Sequence, residues 1–165
     1  MPLLPLLSEL DRKIILFYYE KRDGEIIPIS DDGFNEDQRS FVVTEGEYIL
    51  WELNKRKFTE DEVIHSSWLI TCKGNQSFML CFEADHKLMV SNLFSENRYE
   101  GEWHLENGIL KVSFHYGSHT YDISMIGNNN QAIHSALQIK DNSLTSVLKV
   151  APLSQAREGV ALADY

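Results

Sequence analysis

The chain has 165 residues, 43% of them hydrophobic and 24% charged, with a formal net charge of −10 and a pI near 5.0. This suits one globular domain with a sizeable core and excludes a disordered chain. The acidic balance argues against nucleic acid and anionic membrane surfaces, which are met by basic patches, and fits a basic protein partner.

The opening Met1–Leu7 is apolar but has no basic residue ahead of it and no small-residue cleavage site, so it does not read as a signal peptide. No segment approaches the roughly 18 apolar residues that span a bilayer. Ser8 with Asp11 reads as a helix start, and Leu10, Ile14 and Phe17 recur at helical spacing up to Lys21-Arg22. The expectation is an amphipathic helix laid on the core. Glu25–Ile29, interrupted by Pro28, reads as an edge strand.

An acidic loop follows, with Asp31, Asp32, Glu36 and Asp37. It is no EF-hand: counting from Asp31, the sixth and twelfth positions are Glu36 and Val42 where Gly and Glu are needed. Residues 40–44 and 47–53 are rich in strand formers and flank Glu45-Gly46, which predicts a hairpin. Asn54-Lys55-Arg56-Lys57 is a basic cluster, expected as a solvated turn, with a phosphate site as the minority reading. Thr59 to Glu62 forms a capping box ahead of a short helix. Residues 1–62 carry 15 acidic and 8 basic side chains, against 10 and 7 over 63–165.

From there strands recur about every ten residues, predicted at 66–72, 77–83, 87–94, 98–106, 109–116, 119–126, 131–139 and 144–150. Asn107-Gly108 predicts a two-residue hairpin that sets Leu105 opposite Leu110, Trp103 opposite Val112 and Gly101 opposite Phe114. Gly117-Ser118 predicts the next, with Phe114 opposite Tyr121 and Val112 opposite Ile123. Both turns put the same side chains of the middle strand on the apolar face, and a one-residue slip in either would destroy that agreement. A three-residue loop at 74–76 would pair Ile70 with Leu80 and Trp68 with Phe82. The two cysteines, Cys72 and Cys81, fall on opposite faces and are too few for a disulfide framework, so a cytoplasmic setting is expected.

The fold class expected is α+β, mainly β: an eight-stranded antiparallel up-and-down meander that closes into a barrel, with an N-terminal helix and hairpin packed on it. The divisions are 1–62, an acidic helix-plus-hairpin segment; 63–152, the β-meander; and 153–165, a tail.

His65-Ser66-Ser67-Trp68, Phe78-x-Leu80-x-Phe82, and Gly101-x-Trp103 followed by Asn107-Gly108-x-Leu110 resemble small lipocalin-like (calycin) domains. The resemblance covers roughly 63–150, and Ser66 stands where the family carries a Gly two before the first Trp. It implies a barrel able to hold a small apolar ligand. If that barrel is hollow, the lining is Trp68, Phe78, Tyr99, Trp103, Phe114, Tyr116 and Tyr121; an interior filled by these same rings is favoured.

No catalytic constellation emerges. The chain has no Gly-x-Ser-x-Gly elbow, no phosphate-binding glycine loop and no His-Glu-x-x-His. His104 and His115 share an outward face with Glu100, Glu102 and Glu106, where a His115–Glu100 pair is expected and a third metal ligand is lacking. No cofactor and no metal are therefore expected. The reading favoured is a non-catalytic protein-interaction module, acting through the acidic first third, with Asp31, Asp32, Glu36 and Asp37 as contacts, and through the polar sheet face. The alternative is a carrier or sensor of a small apolar ligand.

Overall fold

A computed structural model describes residues 8–21, 34–71, 77–92, 97–129 and 132–153. The elements are α1 (Glu9–Lys21), α2 (Glu36–Val43), α3 (Gly46–Leu53), β1 (Lys55–Arg56) and α4 (Glu60–Val63), then β2 (Ser67–Thr71), β3 (Ser77–Phe82), β4 (Lys87–Asn92), β5 (Arg98–Glu106), β6 (Ile109–Tyr116), β7 (His119–Asn128), β8 (His134–Lys140) and β9 (Ser143–Pro152). Strands β2 to β9 pair antiparallel in chain order, and β9 returns to β2, which closes an eight-stranded barrel. The α+β, mainly β class holds.

The two central hairpins take the predicted registers: Leu105 faces Leu110, Trp103 faces Val112, Gly101 faces Phe114, and Phe114 faces Tyr121. Asn107 and Gly108 both adopt positive φ, 53° and 78°, as a type I′ turn requires. Gly101 is needed for space: a Cβ there would lie 2.5 Å from the Ser113 carbonyl and 2.9 Å from Phe114 Cβ.

The β2–β3 register differs from the expectation by two residues, with Ile70 opposite Phe78 and Trp68 opposite Leu80. A two-residue shift keeps every side chain on its own face, so apolar alternation cannot distinguish the two pairings. The loop itself, with Cys72, lies outside the described residues, as do the predicted strand at 25–29 and the tail beyond 153.

The expected hairpin over 40–53 is instead a pair of helices, α2 and α3. Asn35 starts α2: its side chain accepts the Gln38 N–H at 2.8 Å, while Gln38 Oε1 accepts the Asn35 N–H at 2.9 Å. Tyr48 and Trp51, three apart, then bury one stripe of α3 against Phe17 of α1, with ring centroids at 5.2 and 5.6 Å. That burial outweighs the strand propensity of Val42, Val43 and Ile49.

Two cores result. One fills the barrel, from Phe58 and Val63 through Trp68, Phe82 and Leu110 to Phe78 and Phe114. The other joins Ile14–Phe17, Val42, Tyr48 and Trp51 to the outer sides of Ile109, Ile126, Leu137 and Val147. Leu137 and Leu144 therefore belong to the helix-covered wall, although their alternation along β8 and β9 reads equally well as inward-facing, and Ile133 is exposed. The inward positions of β8 are His134, Ala136 and Gln138, opposite Val150, Leu148 and Ser146.

Candidate functional site

The helical layer presents an unusual surface. Helix α2 is tied to α1 by Arg39, which donates to both carboxylate oxygens of the buried Asp11 at 2.8 and 2.9 Å and to Glu36 at 2.9 Å. Those bonds, to Asp11 first, raise the guanidinium pKa above its ordinary value. Helix α3 is apolar nearly all round, yet only Tyr48 and Trp51 are buried. Phe41, Ile49, Leu50 and Leu53 are 67%, 46%, 64% and 68% exposed. On α3, Ile49 and Leu53 lie four apart and Leu50 and Leu53 three apart, so they share one outward face. Glu47, three before Leu50, and Asp37, four before Phe41, put exposed carboxylates beside the apolar groups.

Of the expected partner contacts, Glu36 and Asp37 are exposed in the first turn of α2, where carboxylates suit the positive helix end. Asp31 and Asp32 lie outside the described residues. The exposed apolar face of α3 went unpredicted, because a strand reading of so apolar a run places its side chains in the core.

The basic run 54–57 is no solvated turn. It forms β1, which pairs with the end of β7, Lys55 opposite Asn128 and Arg56 opposite Gly127. Arg56 reaches Glu62 at 2.9 Å and lies over the Phe58 ring at 5.2 Å. Lys55 points the other way, into a cleft of about 650 Å³ lined also by Tyr19, Glu20, Lys21, Trp51 and Lys149. There Lys55 Nζ donates to Glu20 at 3.0 and 3.1 Å and to Asn128 Oδ1. Glu20 also accepts from Trp51 Nε1 at 3.0 Å and Ser135 Oγ at 2.9 Å. Burial pushes the Glu20 carboxyl up, but Lys55 and these donors together hold it below its ordinary value. Burial lowers the Lys55 ammonium; Glu20 opposes this, while Lys149 and Lys21 add to it.

The seven rings expected to line a hollow barrel sort into two groups. Trp68 and Trp103 sit at the end closed by α4, where Phe58 packs on Trp68 at 5.1 Å and Trp103 packs on Phe82 at 5.9 Å. Trp103 Nε1 is satisfied by the Glu83 carbonyl at 2.9 Å. Phe78, Tyr99, Phe114, Tyr116 and Tyr121 gather at the opposite end. Phe114 stacks on Tyr121 at 5.1 Å, Phe78 meets Tyr116 at 5.4 Å, and Tyr99 meets Tyr116 at 4.8 Å. Tyr99 and Tyr116 are only partly buried, and Asn92 donates to the Tyr116 hydroxyl at 3.3 Å. These rings contact one another across the barrel interior.

On the outer sheet face, Lys87, Glu100, Glu102, His115 and Asp122 border a shallow groove of about 560 Å³. The nitrogen of His115 bonds Thr120 Oγ1 at 3.2 Å rather than the expected Glu100. Glu106 is taken by Lys111 at 2.7 Å. Among the described residues, no three His, Cys, Asp or Glu side chains are placed to hold a metal ion, and no helix is long and apolar enough to cross a membrane. Comparison with protein-family models, with curated proteins and with solved structures gives no match.

Proposed function

We propose that the protein is a non-catalytic interaction module that binds a partner protein through the outer face of α2 and α3. The observation that carries this reading is the exposure of Ile49, Leu50 and Leu53 on one side of α3, together with that of Phe41 on the neighbouring α2. A surface helix ordinarily turns its apolar stripe inward and its polar residues outward. Here both sides are apolar, and a contiguous exposed apolar patch with a polar rim marks an interaction surface. The rim is acidic, so the partner surface that fits it has an apolar anchor flanked by Lys and Arg. The polar sheet face, with its carboxylates, extends the same charge complementarity.

The test is capture of partners from native extract by three forms of the protein: wild type, a Leu50→Asp/Leu53→Asp variant, and a charge reversal of Asp31, Asp32, Glu36 and Asp37 to Lys. One basic partner is expected to be retained by the wild type and lost from both variants. Equal capture by all three forms would overturn the reading.

A lipocalin-like carrier is the second reading, favoured by the partial exposure of Tyr99 and Tyr116 at the barrel end away from α4. Native mass spectrometry of gently purified protein separates the two. A small adduct lost on denaturation supports the carrier, and an attached polypeptide supports the interaction module.

A further inference from the structure

We infer that the cleft between α1, β1 and the β7–β8 wall is a binding site for a small dianion, a phosphate ester or a dicarboxylate, held between Lys21 and Lys149. This site is separate from the apolar face of α3 and does not depend on the partner reading. In a chain of net charge −10, three ammonium groups line this one cleft, Lys21, Lys55 and Lys149, and among the described residues that line it Glu20 is the one carboxylate. Like charges brought together cost free energy unless something compensates them.

Glu20 compensates only Lys55. The Lys55 ammonium has three donors, and Glu20 Oε1, Glu20 Oε2 and Asn128 Oδ1 accept all three. Lys21 and Lys149 are exposed, and among the described residues neither makes an ion pair. Both are nonetheless close enough to Lys55 to disfavour its charged form, which places the three positive charges within one electrostatic neighbourhood. Two cations that no described residue pairs, at the rim of an open cleft, match two negative charges on one ligand. The cleft is open, with about 650 Å³ of space, so a small charged ligand would be held at its rim and not enclosed. Tyr19 and Trp51 supply apolar wall, so a ligand carrying an organic body beside its charges gains contact there.

The fixed Glu20–Lys55 pair gives the site its rigidity. It joins α1 to β1, and through Ser135 and Asn128 to β8 and β7; Lys149 of β9 lies opposite Ser135 in the sheet, so both lysines project from elements held together. A sequence reading sees Lys21, Lys55 and Lys149 as separate surface lysines.

The experiment titrates the full chain with inorganic phosphate and, separately, with succinate, at constant ionic strength, and follows backbone amide shifts. Three proteins are compared: wild type, Lys21→Gln/Lys149→Gln, and Lys87→Gln. The last removes a positive charge from the outer groove, away from the cleft. Both lysines of the double variant are exposed, so it keeps the fold. Saturable shifts centred on residues 19–21, 54–55 and 128–129 are expected. The double variant should weaken them about tenfold or more, as loss of two charge-assisted contacts implies, and Lys87→Gln should leave them unchanged. Preference for phosphate assigns the natural ligand to the phosphate esters, and preference for succinate assigns it to the dicarboxylates. Shifts that do not saturate with either probe, or that weaken equally in Lys87→Gln, overturn the proposal.

Discussion

Acidification should weaken this fold through His134. The side chain is buried inside the barrel, its ring 4.9 Å from Phe58 and 5.9 Å from Trp68. Its Nδ1 accepts the Asn128 N–H at 3.0 Å, so the neutral ring carries its proton on Nε2. Burial lowers its pKa from 6.5 to about 4; Arg56 and Lys55 add to the effect and Glu62 opposes it. The unfolded chain takes up a proton as pH falls through about 6.5, whereas the folded chain takes it up only near 4. Between those values the unfolded state binds more protons, so stability falls as pH falls. The full difference is about 3 kcal/mol, of which about 2 kcal/mol is lost by pH 5. Glu20, whose carboxyl is held below its ordinary range, loses its contribution only at lower pH, and subtracting the loss of a His134 variant removes the groups common to both proteins. Urea unfolding should be measured at both values for wild type and His134→Asn, whose Oδ1 can take the same Asn128 N–H. The wild type should lose about 2 kcal/mol more than the variant on acidification. In parallel, the His134 ring resonance in the wild type should titrate near 4. Equal losses in the two proteins, or a ring titrating near 6.5, would refute the reasoning.

Two substitutions test the packing that shapes the barrel. Gly101→Ala puts a Cβ within 2.5 Å of the Ser113 carbonyl and 2.9 Å of Phe114 Cβ, atoms that cannot swing aside. The loss should be about 1–3 kcal/mol, read as a lower urea midpoint at unchanged m-value; an unchanged midpoint would show that β5 moves freely. Phe58→Ala removes the ring that closes the α4 end against Trp68 and His134 and should cost about 3–5 kcal/mol. Calorimetry would measure that loss, and a change in Trp fluorescence would report the exposure of Trp68; a loss below about 1 kcal/mol would mean that α4 collapses into the space.

The barrel was legible because its strands obey local rules. Asn107-Gly108 and Gly117-Ser118 fix two registers independently, and period-two alternation makes them agree on β6. Legibility stops where the deciding contact is distant in sequence. Leu137 and Leu144 are apolar because α1, more than a hundred residues earlier, lies over them, and nothing in β8 or β9 says which side is the interior. The Glu20 cleft is harder still: Lys55 belongs to a run of three cations, and only the β1–β7 pairing sends its side chain toward Glu20 while Arg56 goes to Glu62.

The mistaken strand over 47–53 and the proposed interface have one cause. Tyr48, Ile49, Leu50, Trp51 and Leu53 are apolar at nearly every position, a pattern that suits a strand buried on both faces. Folded as a helix at the surface, the same residues cannot all be buried, and α1 covers only the stripe of Tyr48 and Trp51. The remainder is left to water, at a cost of roughly 1–2 kcal/mol for each large side chain not covered. Covering Phe41, Ile49, Leu50 and Leu53 would therefore gain on the order of 4–8 kcal/mol, comparable to the roughly 4–15 kcal/mol that association itself costs. Apolar contact alone thus leaves binding weak, and the carboxylates around it, Glu47 on α3 and Glu36 and Asp37 on α2, must select the partner and speed its arrival. Raising the salt concentration should accordingly slow association while leaving dissociation nearly unchanged, and the uncharged Leu50→Ser/Leu53→Ser should speed dissociation while leaving association nearly unchanged.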